Sequence, residues 1–407
     1  MALYQAWIPL GPEPHRYVAC FNLGTLLGAS GQDQPAEAAY RQAIAHLRQK
    51  QCAGPVYQPV GTLSPNQLLM GTSLLAMMSV SDDPALQLLS AIRFANERVP
   101  KAQPVALHRT MPPRSGKIKI GYLSGDLHMH AVGLLTPELF ELHDRDKFEV
   151  WAFCWTPESA MPQRQRIVKA MDHVVRLAGV DDATAARLIA EAGIDVLVDL
   201  QGLTSGARPA ILGYRAAPVQ VSYLGLPGTS GLPGVDWILA DHFVMPPELE
   251  PYCTEKPIRL PHCYQVSDRQ REVGVKPSRA QYGLPEDAFV FCSFNNTFKF
   301  TEEVYASWMR IVHAVPGSVL WLLADNDTAR DNLLRVADAH GVAHDRLVFA
   351  GRVAPPDYLA RFQCADLMLD TFPYNAGTTA SDALWMGLPI VTYSGRSYIS
   401  RMAGSLL

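Results

Sequence analysis

The sequence KIKIGYLSGDLHMHAVG, residues 117–133, marks the point where the chain begins to alternate between strand and helix. Its apolar run KIKIGYLS is followed by further apolar runs, separated by helical or Gly/Pro-containing segments: FEVWAFCW, IDVLVDLQG, VQVSYLG and VDWILAD. Strands that are apolar on both faces and alternate with helices form parallel sheets covered on both sides. Residues 113–275 are therefore predicted to form one doubly wound, Rossmann-like domain.

A second series of the same kind follows a loop-rich crossover at residues 251–278. Its strands are FVFCSFN, SVLWLLAD, RLVFAG, DLMLDTF and PIVTYSG, and its helices are predicted near 301–315, 328–340, 355–364 and 378–387. Residues 276–407 are thus predicted to form a second Rossmann-like domain, so the fold class is α/β with two doubly wound domains facing a cleft. Open parallel sheets bind ligands outside the carboxyl ends of their strands, and we expect the site in these loops.

Residues 1–112 have helical periodicity and are predicted to form an all-α region that precedes the two domains. Two helical pairs are expected, 17–29 with 35–48 and 65–80 with 84–98. In the first pair, residues match the spacing of a tetratricopeptide repeat at Leu23, Gly24, Ala36, Tyr40 and Ala43. A single repeat cannot bury its own face and must stack on neighbouring helices. A generic helical hairpin explains the same pattern.

The composition argues against several classes of protein. Lys plus Arg number 35 against 39 Asp plus Glu, and a net charge of −4 disfavours a nucleic-acid binder, which needs a basic face. The seven cysteines are scattered without a C-x-x-C pair, which is typical of thiols in a reducing compartment. The N-terminus lacks signal-peptide features, and the apolar stretch 68–80 is too short to span a bilayer. We expect a soluble, cytoplasmic protein.

The sharpest candidate site is the loop DTFPYNAGTTASDALW, residues 370–385, which follows a strand and opens a helix. Gly377 permits close approach of the backbone, and a helix that begins at Thr378 or Thr379 presents free N–H groups and a positive dipole end. That arrangement suits a phosphate without a metal ion. Asp382, one turn further on, is placed to accept hydrogen bonds from ribose hydroxyls. Alternatively, Thr379 and Asp382 only cap their own helix.

A second candidate is Lys299 in FCSFNNTFKF, residues 291–300. A lysine in the loop after the first strand of the second domain can reach a diphosphate, and Asn295 and Asn296 add amide donors. Most lysines are simply solvated at the surface. The aromatic neighbours Phe294, Phe298 and Phe300 indicate a packed loop instead.

The first domain offers Asp126, His128 and His130 directly after its first strand. A His-x-His pair can bind metal, but no third ligand is near in sequence. We expect one of these histidines to act as a donor or base, while a structural role explains His128 equally well. The later loops 199–208 and 224–231 are rich in Gly, Ser and Thr; they are either acceptor-binding loops or tight turns.

Four motifs, in this order and at this spacing, resemble the protein O-linked N-acetylglucosamine transferase family, including its SPINDLY branch. They are GYLSGD-x-x-x-H, APVQVSYLGLPGTSG-x-x-x-x-D, QYGLPEDAFVFCSFNNTFK and LDTFPYNAGTTASDALW, and the likeness covers about residues 115–407. The resemblance implies a GT-B fold and an inverting, metal-independent glycosyltransferase that uses a nucleotide-diphosphate sugar, typically UDP-N-acetylglucosamine. It implies protein Ser/Thr hydroxyls as acceptors and tetratricopeptide repeats as neighbours.

The resemblance also implies roles for individual residues. Lys299 would neutralise the departing diphosphate, helped by the N–H groups of Thr378 and Thr379, and Asp382 would hold the ribose. Asn296 stands at the family's position for a glutamine near the diphosphate, and His130 stands at the position of the family's cleft histidine. His130 is our candidate for the general base; the alternatives are a substrate phosphate or water. The sequence departs from the family at Gly377 and Tyr358, which stand where many members have histidine. Tyr358 would then contact the base by stacking.

Alternative functions remain open at this point. The same fold could use GDP-fucose or UDP-glucose, the chain could be an inactive tetratricopeptide scaffold, and a nucleotide-sugar epimerase is a more distant option. Family members continue with further helices beyond the equivalent of SRMAGSLL, residues 400–407, so the second domain is expected to be truncated.

Overall fold

The computed structural model of the chain describes residues 5–6, 8, 19–20, 23–24, 27, 30, 32–50, 74–99, 116–324 and 326–407. These residues form two compact units. The 82–272 unit contains Asp82–Glu272 together with Ser394–Leu407. The 273–393 unit contains Val273–Tyr393 together with the described residues up to Ser81.

Strands and helices alternate through the described part of the chain. The strands β1–β12 are Ile118–Ser124, Phe148–Cys154, His173–Arg176, Val196–Asp199, Val219–Ser222, Trp237–Asp241, Lys256–Leu260, Val290–Ser293, Val319–Leu323, Leu347–Ala350, Leu367–Leu369 and Ile390–Val391. The helices α1–α13 are Asp33–Lys50, Leu74–Val80, Pro84–Arg98, Ala131–Leu135, Pro137–Glu141, Pro162–Lys169, Asp182–Glu191, Ala210–Gly213, Glu302–Ala314, Asp327–Ala339, Pro355–Arg361, Thr378–Trp385 and Met402–Leu406. Short 3-10 helices span Pro247–Tyr252, Arg279–Tyr282, Thr297–Lys299, His344–Arg346, Phe362–Cys364 and Ile399–Arg401.

Each unit is built on one parallel sheet whose strand order reverses once. The first sheet has the order β3-β2-β1-β4-β5-β6-β7, and the second has the order β10-β9-β8-β11-β12. In both sheets the chain moves outward from its first strand and then returns to that strand's other side, so the loops after β1 and β4, and after β8 and β11, diverge. Such a reversal is where doubly wound sheets bind ligands. The predicted α/β class with two doubly wound sheets is confirmed.

Helix α9 shows how local sequence fixes these elements. Thr301 caps its start by accepting a hydrogen bond from the Val304 N–H, and two glutamates occupy the first turn, where the helix dipole favours negative charge. The residues that it buries follow helical spacing: Tyr305, Trp308, Met309 and Val312. They pack in one core with Leu320 and Leu322 of β9. The helix predicted at 301–315 is therefore observed within one residue at each end.

Two strands of the first sheet, β3 and β7, are absent from the predicted set. Both are edge strands. Strand β3 is HVVR, with exposed ends, and β7 is KPIRL, which carries Pro257 and two basic residues. Edge strands tolerate proline and charge because one side makes no ladder hydrogen bonds. They lack the continuous apolar run that identified the buried strands, and the crossover at 251–278 is accordingly not loop throughout.

The N-terminal region is described in part. Buried residues from the helical positions 19–27 cluster with one face of α1: Ala19, Cys20, Leu23, Leu27, Ala36, Ala39 and Ala43. This packing fits the predicted helix pair, and the tetratricopeptide assignment stays a prediction because the intervening pattern lies partly outside the described residues. Helix α3 matches the predicted 84–98, whereas most of the helix predicted at 65–80 lies outside them. None of the described helices is both long and apolar enough to cross a membrane.

The compact units depart from the predicted boundaries at 112 and 275, and the described residues up to Ser81 belong to the 273–393 unit instead of forming a separate region. Residues 84–98 and 394–407 both belong to the 82–272 unit. Helix α3 packs its backbone against Gly231, where an added Cβ would lie 2.5 Å from the Ala91 carbonyl carbon. The carboxylate of Asp82 accepts hydrogen bonds from the Arg396 N–H at 2.7 Å and from the Ser397 N–H and Oγ at 3.1 and 2.7 Å. Charged hydrogen bonds of this kind fasten the last segment to this unit.

We expect Asp82→Ala to lower the free energy of unfolding by about 2–3 kcal/mol, because it leaves several donors of the 396–400 segment without an acceptor. Asp83→Ala is the matched control. The Asp83 side chain caps α3 by accepting from Ala85 and Leu86, so its loss should cost only about 1 kcal/mol. Urea denaturation measures both, and equal losses in the two variants would contradict this role of Asp82.

Candidate functional site

The loops after β8 and β11 meet at the strand-order reversal of the 273–393 unit. The first carries Asn295, Asn296 and the 3-10 helix Thr297–Lys299; the second runs from Asp370 to Gly377 and ends at helix α12. Phe294 and Phe300 are buried on either side of the 3-10 helix. Buried aromatic anchors fix the path of this loop, as its sequence predicted.

The Lys299 ammonium is held by groups from both loops. Its Nζ lies 3.4 Å from Asn295 Oδ1, 3.2 Å from the Asn375 carbonyl oxygen and 3.9 Å from the centre of the Tyr374 ring. The side chain is half-buried, and in the described part of the chain no carboxylate contacts it directly. The surface-lysine alternative does not fit these contacts. A cation that is held in place but not neutralised by a direct partner suits an incoming anion.

Lys299 and Asp370 each influence the pKa of the other. Burial lowers the pKa of Lys299 to about 8, and the negative charge of Asp370 opposes that shift. Burial raises the pKa of Asp370 to about 6, against the hydrogen bonds that its carboxylate accepts. At neutral pH Lys299 is therefore mostly an ammonium ion, with a pKa close enough to respond to mild alkali.

Helix α12 begins shortly after Asn375, whose carbonyl oxygen contacts this ammonium. Gly377 occupies the N-cap position with φ −102° and ψ −88°, and no side-chain hydrogen bond caps the helix there. Thr378 and Thr379 are half-exposed, whereas Asp382 is buried. Uncapped N–H groups at a helix start bind anions, so this arrangement agrees with the predicted phosphate-binding loop. The ribose role of Asp382 stays a prediction.

Two further predicted residues occupy different settings in this unit. Asn296 is exposed at the beginning of the 3-10 helix. Tyr358 lies in α11, half-buried, with its ring edge-on to Phe362 at 5.4 Å and under the Arg361 guanidinium at 4.5 Å. Arg361 also lies 3.9 Å from the Phe294 ring centre. Tyr358 is thus fixed on one side by packing, which suits a stacking platform, and its base contact stays a prediction.

His130 belongs to the 82–272 unit, at the reversal point of the first sheet. It caps α4, where its Nδ1 accepts a hydrogen bond from the Val132 N–H at 3.4 Å, and it lies 3.5 Å from Asp126 Oδ2. Burial lowers its pKa, with Asp126 raising it and His128 lowering it. A neutral imidazole at neutral pH can accept a proton. Among the described residues, no group of three or more His, Cys, Asp or Glu side chains is arranged to hold a metal ion.

Polar side chains of the other two candidate loops in this unit, 199–208 and 224–231, form hydrogen bonds with other residues of the same unit. Gln201 Oε1 accepts from the Gly125 N–H at 2.8 Å and from Ser124 Oγ at 3.1 Å. Thr229 Oγ1 donates to Glu255 at 2.7 Å, and the Ser230 N–H donates to the same buried carboxylate at 2.8 Å. These bonds favour the structural interpretation of these loops. The Gln201 bonds join the ends of the neighbouring strands β1 and β4, and the Glu255 bonds join the 224–231 loop to the residue before β7.

No role was predicted for Asp370, Tyr374 or Asn375, although they lie in the 370–385 loop that is the sharpest candidate site in the sequence. Tyr374 and Asn375 contact Lys299 directly. The signal that could have identified them is an aromatic residue, Tyr374, that lies between the polar residues Asp370 and Asn375 in the loop directly after an apolar strand. The acidic anchor Glu255 lies in the predicted crossover, where no pattern marks it.

Comparison with known proteins identifies relatives over most of the chain. The sequence matches Glycosyl transferase family 41 over residues 94–276 and 269–407. A probable UDP-N-acetylglucosamine–peptide N-acetylglucosaminyltransferase SEC from Arabidopsis thaliana is 36% identical over 71% of this chain and 30% of its own length. The corresponding Caenorhabditis elegans enzyme is 26% identical over 72% of this chain and 35% of its own length. The chain spans about a third of the length of these relatives.

A SPINDLY protein and a solved structure extend this comparison. The Arabidopsis thaliana SPINDLY protein is 32% identical over 71% of this chain and 32% of its own length. The structure of a mutant Thermobaculum terrenum O-GlcNAc transferase superimposes with a TM-score of 0.77 at 28% identity. That comparison covers 100% of this chain and 74% of the other.

Anion binding at Lys299 should weaken as pH rises through about 8, because only the ammonium form attracts an anion and its lowered pKa lies there. We expect the Kd for UDP, measured by calorimetry between pH 7.5 and 9.5, to rise about tenfold. UDP itself is fully ionised over this range, since phosphate ionises near pH 6.

Lys299→Arg is the matched control, since a guanidinium stays charged throughout this range. Its UDP affinity should change little with pH. A wild-type affinity that is constant from pH 7.5 to 9.5 would contradict the participation of Lys299.

Proposed function

Because the chain belongs to glycosyl transferase family 41, we propose that it transfers N-acetylglucosamine from UDP-N-acetylglucosamine to Ser or Thr hydroxyls of proteins, with inversion and without a metal ion. Membership of this family confirms the resemblance predicted from the four ordered motifs. The observation that carries the proposal is the Lys299 ammonium, held beside an uncapped helix start at the strand-order reversal of the second sheet.

The proposed reaction breaks the bond between the sugar's anomeric carbon and the diphosphate oxygen. The acceptor hydroxyl oxygen forms the new bond to that carbon, its proton passes to a base, and UDP leaves with the electron pair. Negative charge grows on the diphosphate, so Lys299 and the N–H groups of Thr378 and Thr379 stabilise the transition state more than the bound donor. These groups supply the positive charge that a metal ion would otherwise bring.

The other site residues have supporting roles in this proposal. Asn296 contacts the diphosphate, Tyr358 stacks on the nucleotide base, and Asp382 accepts hydrogen bonds from the ribose. His130 accepts the proton of the acceptor hydroxyl at Nδ1, which gives up its hydrogen bond from the Val132 N–H in that step; its lowered pKa keeps the ring neutral beforehand. The partners of the protein are then a nucleotide-sugar donor and protein acceptors.

Lys299→Ala should slow sugar transfer about 10²- to 10³-fold, the effect of removing a comparable electrostatic donor. Mass spectrometry of co-expressed proteins measures the added sugar, and its mass distinguishes N-acetylglucosamine from fucose or hexose. Lys276→Ala, at an exposed lysine of the same unit, is the control and should transfer normally.

Calorimetry with UDP and GDP completes this test, because it identifies the base that the site prefers. Stronger binding of GDP than UDP, or binding of UDP with no added sugar mass on any protein, would contradict the proposed function. Near-normal turnover by Lys299→Ala would contradict the role of the lysine.

His130→Asn should lower the transfer rate about 10²-fold or more, because it removes the proposed base. Asparagine is also a favourable N-cap, so α4 should keep its start. UDP affinity should stay at the wild-type value, since the UDP contacts lie in the 273–393 unit. Transfer at the wild-type rate would exclude His130 as the base and leave water or a substrate phosphate as the acceptor of the proton.

A further inference from the structure

Asp370 closes the loop that contacts Lys299. Its Oδ1 accepts hydrogen bonds from the Thr371 N–H at 2.7 Å and from the Ala376 N–H at 2.8 Å, so one oxygen joins the first and last residues of the 371–376 loop. Its Oδ2 accepts from Thr392 Oγ1 at 2.7 Å, just beyond β12. The carboxylate is buried at 8% exposure. Asp370 therefore determines the shape of the loop from inside.

Further bonds inside the closed loop fix the two residues that face Lys299. Thr371 Oγ1 donates to the Tyr374 carbonyl at 2.5 Å, and Asn375 Nδ2 donates to the Thr371 carbonyl at 2.8 Å. Tyr374 and Asn375 are thereby oriented from the residue that Asp370 holds. The Asn375 carbonyl and the Tyr374 ring then reach the ammonium at 3.2 and 3.9 Å.

Asp370 affects Lys299 through its negative charge as well as through the loop that it closes. A neutral acceptor would close the loop equally well, whereas a buried carboxylate costs free energy unless a cation compensates it. Lys299 is the cation whose charge acts on Asp370. Among the described residues that contact the ammonium, the titratable one is Tyr374, which is neutral because burial raises its pKa to about 12. Helix α2, which packs against the 3-10 helix of Lys299, has the sequence LLAMMSV and brings no charge.

We propose that Asp370 is a positioning residue for diphosphate binding: it closes the 371–376 loop, which holds Lys299 through Asn375 and Tyr374, and its buried negative charge complements that ammonium. The inference rests on the proposed function, because it takes the ligand of Lys299 to be a diphosphate. It adds a residue that touches neither donor nor acceptor and acts only through Lys299 and the loop.

Asp370→Asn separates the two effects, because the amide oxygen still accepts both loop N–H groups while the charge is lost. We expect the alkaline midpoint of UDP binding, followed by calorimetry, to move about one pH unit lower. At pH 7.5 the affinity should fall about threefold to tenfold, and at pH 6.5 it should approach the wild-type value. Asp370→Ala, which also opens the loop, should bind UDP weakly at every pH.

Two controls keep this test specific. Glu302→Gln removes an exposed carboxylate of the same unit and should leave the alkaline midpoint in place. In a Lys299→Arg background, where the affinity changes little with pH, Asp370→Asn should leave the UDP affinity nearly unchanged, because arginine keeps its charge. A purely structural role of Asp370 would give the same loss in both backgrounds. Circular dichroism melting curves establish that each variant is folded.

An unshifted midpoint in folded Asp370→Asn would overturn the proposal, and so would an equal loss of UDP affinity at pH 7.5 in the Lys299→Arg background. If wild-type protein binds UDP with the expected pH dependence but transfers no sugar, the proposed function fails while the role of Asp370 stands.

Discussion

The contact between the Lys299 ammonium and the Asn375 carbonyl joins the two loops that diverge at the strand-order reversal of the second sheet. Holding a cation in a half-buried position costs solvation energy, which the protein offsets with an amide oxygen, a carbonyl oxygen and an aromatic ring instead of a direct carboxylate partner. The charge is then oriented but not cancelled. This constraint explains why the loop after β11 has so many internal hydrogen bonds.

Much of the fold could be predicted from the sequence, because buried parallel strands have continuous apolar runs and α9 has both its cap and its buried face in the sequence. The edge strands β3 and β7 could not, since a strand with one unpaired side tolerates Pro257, Lys256 and exposed ends. The sequence also did not predict that residues 394–407 belong to the 82–272 unit. This grouping depends on contacts with Asp82, more than three hundred residues away in sequence.

The residues of the candidate site also differ in whether they could be predicted from the sequence. Lys299, Gly377 and Thr378 were predictable, because each follows a strand in a position that the parallel-sheet rule assigns to ligands. The contributions of Tyr374 and Asn375 were not, since they depend on a loop that folds back on one carboxylate oxygen, and no spacing rule encodes that closure. Conversely, the Ser and Thr residues near Glu255 resemble a ligand-binding pattern but are already occupied by internal bonds.

The assignment of residues 394–407 to the 82–272 unit means that neither unit is one uninterrupted stretch of polypeptide. Ribosomal synthesis therefore delivers the partners of Asp82 only after the whole second sheet has emerged, so the first sheet acquires its last packed segment late. Expressing the two halves separately, divided at residue 272, would remove residues 394–407 from the unit to which they belong. A rearranged gene that links 394–407 directly to the 82–272 segment is the coherent way to isolate that half.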